Sequence, residues 1–288
     1  MKAFIINLKK DKDRKAFMEK QLNDLQVEYQ FIEGYAGKEK SNEEVYKIYD
    51  SKKSIKINGQ DLNRSEIGCA YSHMLAYEQM KDQNISLAMI LEDDVKIDNR
   101  LLKVIDLVEK KYKENNKLDF DWLQIDYVPP GLFFWYHWCS LSIKNIKNNF
   151  SKVKNLKTFI KLLITIVYIL IKFIYISLLS IYEGLRNYFY KNISKIIKDY
   201  KDVDIVNFYR PLYLASAYII TREAVEKLLK INTPVIVTAD RLPNYARINN
   251  NKSHNGQSKT FIMKAVAPLI TEQQRKVFES NIVENNLK

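Results

Sequence analysis

Glu92, Asp93 and Asp94 stand in a row at the end of the apolar run Ala88-Met89-Ile90-Leu91, and Val95 resumes the apolar pattern. A short apolar run reads as a buried strand. Three like charges at its end repel one another and resist burial, so folding alone gives no reason for them. A divalent cation supplies one. Hard ions such as Mg²⁺ and Mn²⁺ take carboxylate oxygens and bridge to substrate phosphates. In open α/β folds, ligands bind just outside the carboxyl ends of strands, which is where this triplet falls.

The flanking pattern supplies the elements that position such a triplet. Ala3 to Leu8 reads as a first strand, and Asp11 to Leu25 as a helix with Phe17, Met18, Leu22 and Leu25 at helical spacing. Val27 to Ile32 reads as a second strand that leads into the turn Gly34-Tyr35-Ala36-Gly37. Asn63-Arg64-Ser65-Glu66 opens a helix that runs through Ile67 to Met80. Ser86 to Leu91 is the strand before the triplet, Asn99 to Tyr112 a helix, and Trp122 to Tyr127 a strand. Leu212 to Ile220 is a further strand, followed by a helix from Thr221 to Lys230. This alternation predicts an α/β domain with a mainly parallel sheet, formed by residues 1–140 and 203–288.

The chain has 288 residues and a net charge of +12, and nine of those charges fall between Leu141 and Asp202. That clustering argues against a surface coated for nucleic acid and for one local basic element. Within the segment, Leu162 to Tyr182 carries one charge, Lys172. A membrane-spanning helix there would divide the α/β domain between two sides of a bilayer. Lys154, Lys157, Lys161, Lys172 and Arg186 share one line on a helical wheel, and apolar residues fill the rest. Residues 141–202 therefore read as an amphipathic helical insertion suited to an anionic membrane surface. The competing reading packs that helix on the core or on a second copy. The aromatic cluster Phe133-Phe134-Trp135-Tyr136-His137-Trp138 fits sugar stacking, a membrane interface or packing on that helix. Cys69 and Cys139 form no metal or redox motif and read as free thiols of a reducing cytoplasm. The apolar run at the N-terminus is too short for a signal peptide.

Four segments taken together resemble glycosyltransferase family 25, the lipooligosaccharide-type galactosyltransferases and their collagen-modifying relatives. They are Ile5-Ile6-Asn7-Leu8 with Asp13-Arg14, Ser65-Glu66-Ile67-Gly68-Cys69-Ala70-Tyr71-Ser72-His73, Ile90-Leu91-Glu92-Asp93-Asp94, and Ala217-Tyr218-Ile219-Ile220-Thr221-Arg222. The tail Ala267-Pro268-Leu269-Ile270-Thr271-Glu272-Gln273 resembles the family's ending. The resemblance covers about residues 1–130 and 203–288 and omits the basic segment. This chain has Lys9 and Lys10 where a further arginine is usual, and Ser65 where a glycine is usual.

The resemblance implies a GT-A-like, Rossmann-type sheet, a nucleotide-sugar donor of the UDP-sugar kind and a Mn²⁺ or Mg²⁺ ion. Asp94 and Glu92 would hold the metal. Asn7, Arg14, Glu92 and Asp93 would face the donor, with Arg14 on the pyrophosphate. The base that takes the acceptor proton would be Asp240, in the acidic region Thr238-Ala239-Asp240, with Glu66 and Asp126 as rivals. His73 is expected to hydrogen-bond to backbone or to Glu66, and His254 is a candidate metal or phosphate contact. The implied acceptor is a lipid-linked glycan such as lipooligosaccharide core, modified by a cytoplasmic enzyme held peripherally at the inner membrane. A non-catalytic nucleotide-sugar-binding or scaffolding protein is the alternative, and the intact acidic triplet argues against it.

Overall fold

The computed structural model describes residues 1–127, 203–207, 212–250, 261–267, 270–274 and 278, and within 128–201 residues 146, 150, 155, 158–171, 173–175, 177 and 178. The chain forms two compact units, Met1–Tyr127 with Asp202–Lys288, and Val128–Lys201.

The first unit opens with strand β1 (Lys2–Asn7), helix α1 (Lys12–Asp24) and strand β2 (Tyr29–Glu33). Helices α2 (Asn42–Ile48), α3 (Ser51–Asn58) and α4 (Arg64–Asp82) follow. Next come β3 (Leu87–Glu92), β4 (Val95–Ile97), α5 (Leu101–Asn115) and β5 (Trp122–Gln124). The remaining elements are β6 (Asp204–Val206), β7 (Ala217–Thr221), helices α6 (Arg222–Asn232) and α7 (Leu242–Asn250), and strands β8 (Met263–Ala267) and β9 (Thr271–Gln273).

Seven strands form one sheet in the order β2-β1-β3-β7-β5-β8-β6, and β4 pairs with β9 in a separate antiparallel ribbon. Strands β1–β2, β1–β3 and β5–β8 pair in parallel, while β3–β7, β5–β7 and β6–β8 pair antiparallel. The sheet is therefore mixed, which corrects the expectation of a mainly parallel one. Alternation specifies direction only for strands joined by a helical crossover. β7 follows β5 only after the 128–201 unit, so no short crossover sets its direction. It runs opposite to both neighbours.

Side chains alternate between two apolar layers. Ala3, Ile5, Met89, Leu91 and Ile219 face the layer built from α1 and α5. Phe4, Ile90, Trp122, Tyr218 and Ile220 face the layer built from α4 and α6. Both faces of the central strands are covered, so these strands read as continuous apolar runs.

Gly68 has a specific task in α4. A Cβ there would lie 2.5 Å from the Tyr35 carbonyl oxygen and 2.8 Å from the Gly37 nitrogen. A Cβ on Gly37 would meet the Arg64 carbonyl oxygen at 2.0 Å. Helix and turn thus touch backbone to backbone. Ser72 Oγ fastens the contact by accepting from Tyr35 N at 2.8 Å and donating to Gly68 O at 2.7 Å. Gly68→Ala is expected to cost about 1–3 kcal/mol through overpacking against rigid backbone. A urea titration checks it; an unchanged midpoint would refute the close-approach argument.

In the second unit, the helical stretch Thr158–Tyr175 is long and apolar enough to cross a membrane, with mean hydropathy 2.0 and 6% of it buried. Ile164, Ile171 and Leu178 are more than 60% exposed. Lys154, Lys157, Lys172, Arg186, the cluster 133–138 with His137, Cys139 and His254 lie outside the described residues.

Candidate functional site

The carboxyl end of β3 delivers the acidic triplet as the sequence predicts, but its three members do different things. Asp93 is buried and anchors the site. Its Oδ2 accepts from Asn7 Nδ2 at 2.8 Å, and its Oδ1 accepts from Arg14 Nη1 at 3.0 Å. Asn7 ends β1 and also donates to the Asp11 carbonyl at 3.0 Å, so one side chain ties the end of β1 to the start of α1. Burial raises the Asp93 pKa, and the Arg14 and Asn7 hydrogen bonds pull it back. Each Asp93 oxygen thus has a protein partner and keeps a further lone pair.

Arg14 is likewise a framework residue. It is buried on the inner face of α1 with Met18 and Leu22, lies 3.8 Å from Asp94 Oδ2, and sits over the Phe278 ring. Its guanidinium forms an ion pair with Asp93 at 3.0 Å. Breaking such a buried pair from one side leaves the other charge uncompensated. Arg14→Met is expected to cost about 3–5 kcal/mol of folding stability by that mechanism. Chemical denaturation checks it, and full stability with lost donor binding would instead make Arg14 a phosphate contact.

Glu92 and Asp94 are the remaining carboxylates at the strand end. Glu92 Oε1 meets His73 Nε2 at 3.4 Å and Cys69 Sγ at 3.8 Å, and its Oε2 meets Gln273 Nε2 at 3.4 Å. Cys69 is a free thiol. Burial pushes its pKa well up, and the carboxylates of Glu92, Asp240 and Asp94 push in the same direction. Among the described residues, Cys69 Sγ, a His73 ring nitrogen and a Glu92 oxygen lie within 4.8 Å of one another, a group that could hold a metal ion.

Asp240 is half-buried, and its Oδ1 accepts from Thr238 Oγ1 at 2.5 Å. Two asparagines set its loop. Asn232 Oδ1 accepts from Ile236 N at 2.9 Å and Val237 N at 3.0 Å. Asn58 Nδ2 donates to the Ile236 carbonyl at 2.9 Å, and Arg241 Nη1 donates to Asn58 Oδ1 at 2.9 Å. Sequence reasoning missed both. The available signal was an asparagine just before the Thr233-Pro234 turn, where a side chain can replace backbone partners.

The rivals occupy other surroundings. Glu66 completes a capping box at the start of α4: its Oε2 accepts from Asn63 N at 2.8 Å, and Glu66 N donates to Asn63 Oδ1 at 2.9 Å. Asp126 is buried, with its Oδ2 accepting from Ser216 Oγ. The expected His73–Glu66 bond is not formed, because the Glu66 carboxylate turns to the helix cap. His73 Nδ1 instead meets Tyr218 Oη at 2.8 Å, and its Nε2 meets Glu92.

Beyond the ends of β1 and β2 lies a cavity of about 550 Å³ lined by residues including Leu8, Lys9, Lys10, Gly34, Tyr35 and Lys40. Gly34 N donates to the Asn7 carbonyl at 2.9 Å, so one backbone hydrogen bond links the cavity wall to the residue that anchors Asp93.

Curated relatives of this chain are procollagen galactosyltransferases. The chain is 28% identical over 104 residues to procollagen galactosyltransferase 1-A of Xenopus laevis, covering 33% of this chain and 16% of that protein. It is 26% identical over 121 residues to procollagen galactosyltransferase 2 of Homo sapiens, covering 37% and 18%. The mouse protein of the same name is 29% identical over 123 residues, covering 41% and 19%. The chain thus spans less than a fifth of these relatives' length. A family model described as glycosyltransferase family 25 (LPS biosynthesis protein) matches residues 1–243, a span that includes the basic segment and stops short of the 267–273 tail. With a match over most of its length and an acidic cluster at the carboxyl end of β3, this chain belongs to glycosyltransferase family 25.

Proposed function

We propose that this chain is a divalent-cation-dependent galactosyltransferase that takes galactose from a UDP-sugar and gives it to a lipid-linked glycan such as lipooligosaccharide core. The observation that carries the reading is the pair of carboxylates Glu92 and Asp94 at the end of β3, held from beneath by the bonds of Asp93 to Asn7 and Arg14, in a chain that the family model matches over residues 1–243. The galactosyl donor is supported by the names of the relatives, and the lipid-linked acceptor by the family description.

The chemistry follows from the residues. The acceptor oxygen attacks the sugar's anomeric carbon as the bond to the diphosphate breaks, and the electron pair leaves with the phosphate oxygen. Asp94 and Glu92 would hold a Mn²⁺ or Mg²⁺ ion, which would supply charge neutralisation on that diphosphate. Asp240 takes the acceptor proton. The lysine-lined cavity beyond Asn7 receives the nucleoside and its phosphates, with Tyr35 offering a ring face. Asp93, Arg14 and Asn7 keep the β3 end rigid beneath them.

The test is a panel of nucleotide sugars with Mn²⁺, scored for hydrolysis and for transfer to truncated glycolipid. UDP-galactose should stand out. Binding of a nucleotide sugar with no turnover on any acceptor would favour the scaffolding alternative.

The basic unit attaches the enzyme peripherally to the cytoplasmic face of the inner membrane. Support comes from the exposed apolar stretch Thr158–Tyr175 and the surrounding lysines. Apolar insertion is insensitive to salt, whereas each basic residue adds about 1 kcal/mol that salt screens. Vesicle binding should therefore weaken with salt without vanishing. Changing Lys154, Lys157, Lys161 and Lys172 together to Glu should release the protein from anionic vesicles and leave transfer to a short soluble acceptor intact. Undiminished co-sedimentation would refute charge-guided anchoring, and an unfolded variant would show that the helix belongs to the core.

A further inference from the structure

A chain of buried polar side chains runs from the interior to Glu92. Tyr77 Oη and Tyr218 Oη are 2.8 Å apart, Tyr218 Oη is 2.8 Å from His73 Nδ1, and His73 Nε2 is 3.4 Å from Glu92 Oε1. Tyr77, Tyr218 and His73 are each at most 1% exposed. The Trp122 ring stacks on Tyr218 at 3.6 Å and 13°, which fixes the phenol in the middle of the sheet. Burying polar groups is costly unless every one is satisfied, and Phe at 77 and 218 with Leu at 73 would fill the same layer without that demand.

The direction of the hydrogen bonds is set from one end. An ionised Glu92 only accepts, so the His73 Nε2–H must donate to it. A neutral His73 ring then has only an acceptor at Nδ1, so Tyr218 O–H donates there. Tyr218 has spent its proton and must accept from Tyr77. One carboxylate thereby orders three side chains, and they in turn hold the carboxylate. Cys69 and Gln273 also meet this carboxylate.

The geometry points to His73, Tyr218 and Tyr77 as a linked set of positioning residues that fixes the Glu92 carboxylate for the cation and the donor. This deepens the transferase reading and rests on it. None of the three touches substrate. Their role is to remove the freedom of a side chain that would otherwise sample several rotamers at the edge of a sheet. Outer partners of this kind typically contribute about 10- to 100-fold to metal affinity.

The test uses the full chain and Mn²⁺ alone as probe, with affinity read from water-proton relaxation and fold from thermal melting. Tyr218→Phe removes one oxygen and should weaken Mn²⁺ binding about tenfold. His73→Leu should weaken it at least as much. His73→Gln keeps an N–H that reaches Glu92 and should recover most of the loss. The double variant His73→Leu/Tyr218→Phe should bind no more weakly than His73→Leu, because the second change acts through the first. Should His73→Leu fail to fold, Tyr218→Phe against His73→Gln carries the same comparison. Unchanged Mn²⁺ affinity in a folded Tyr218→Phe, or losses that simply add in the double variant, would overturn the proposal. So would a wild-type protein that binds no Mn²⁺, or a thiolate-to-cobalt absorption band on Co²⁺ loading that Cys69→Ala abolishes, since the cation would then sit directly on Cys69, His73 and Glu92. A wild type that binds Mn²⁺ yet transfers no sugar overturns the transferase reading while these affinity comparisons still stand.

Discussion

Asp94→Asn should reduce transfer at least about a hundredfold, a rise in barrier of about 2.7 kcal/mol. The change keeps the side chain's shape and removes the charge that holds the cation. Asp94 sits 3.8 Å from Arg14 Nη1, while Asp93 holds the closer 3.0 Å contact, so the framework beneath the site survives the substitution. The expected signature is a normal melting curve, a large loss of kcat/KM at ordinary Mn²⁺ and partial recovery at high Mn²⁺. Asp93→Asn should behave differently. It weakens the buried partner of Arg14 and lowers stability first. Near-normal turnover of Asp94→Asn at ordinary Mn²⁺ would exclude Asp94 as a metal holder.

The contrast between Asp93 and Asp94 shows what a sequence discloses and what it hides. The triplet's place at the end of a buried strand was legible, because the run from Ala88 to Leu91 ends abruptly in charge and because α/β topology sends ligands to that edge. The division of labour within the triplet was not. It depends on Asn7 and Arg14, which lie 86 and 79 residues from Asp93 and reach it only once β1 and α1 pack beside β3. Helix α4 was legible from Asn63 and Glu66, and the same capping signal explains why Glu66 points away from His73. Strands β8 and β9, helices α2, α3 and α7, and the antiparallel course of β7 were not legible. Short strands give too few residues for periodicity to speak. Strand direction is a tertiary property that local pattern does not encode. The chain Tyr77–Tyr218–His73 was hidden for a related reason. On helix α4, Tyr77 and His73 read as ordinary inward-facing residues, and only the pairing of β3 with β7 brings Tyr218 to them.

Asp240→Asn should lower transfer by about 10²- to 10⁴-fold, the range a positioned base contributes. Donor affinity should hardly change, because the base acts on the acceptor. The loop that carries Asp240 is held by Asn232 and Asn58, and neither bond involves the Asp240 carboxylate, so the substitution leaves the loop in place. Two companion variants separate the base from its rivals. Glu66→Gln still accepts from Asn63 N through its amide oxygen, so the cap survives and turnover should remain close to wild type. Asp126→Asn disturbs a buried bond to Ser216 and should register chiefly as lost stability. The three therefore differ in kind: Asp240→Asn loses kcat with the fold and donor binding intact, Glu66→Gln loses little, and Asp126→Asn loses melting temperature. Pre-steady-state transfer with a saturating donor measures the first, isothermal titration the donor affinity, and calorimetry the last. Strong donor loss in Asp240→Asn with residual transfer would move Asp240 to the donor side. A kcat collapse in Glu66→Gln with unchanged stability would make the capping residue the base.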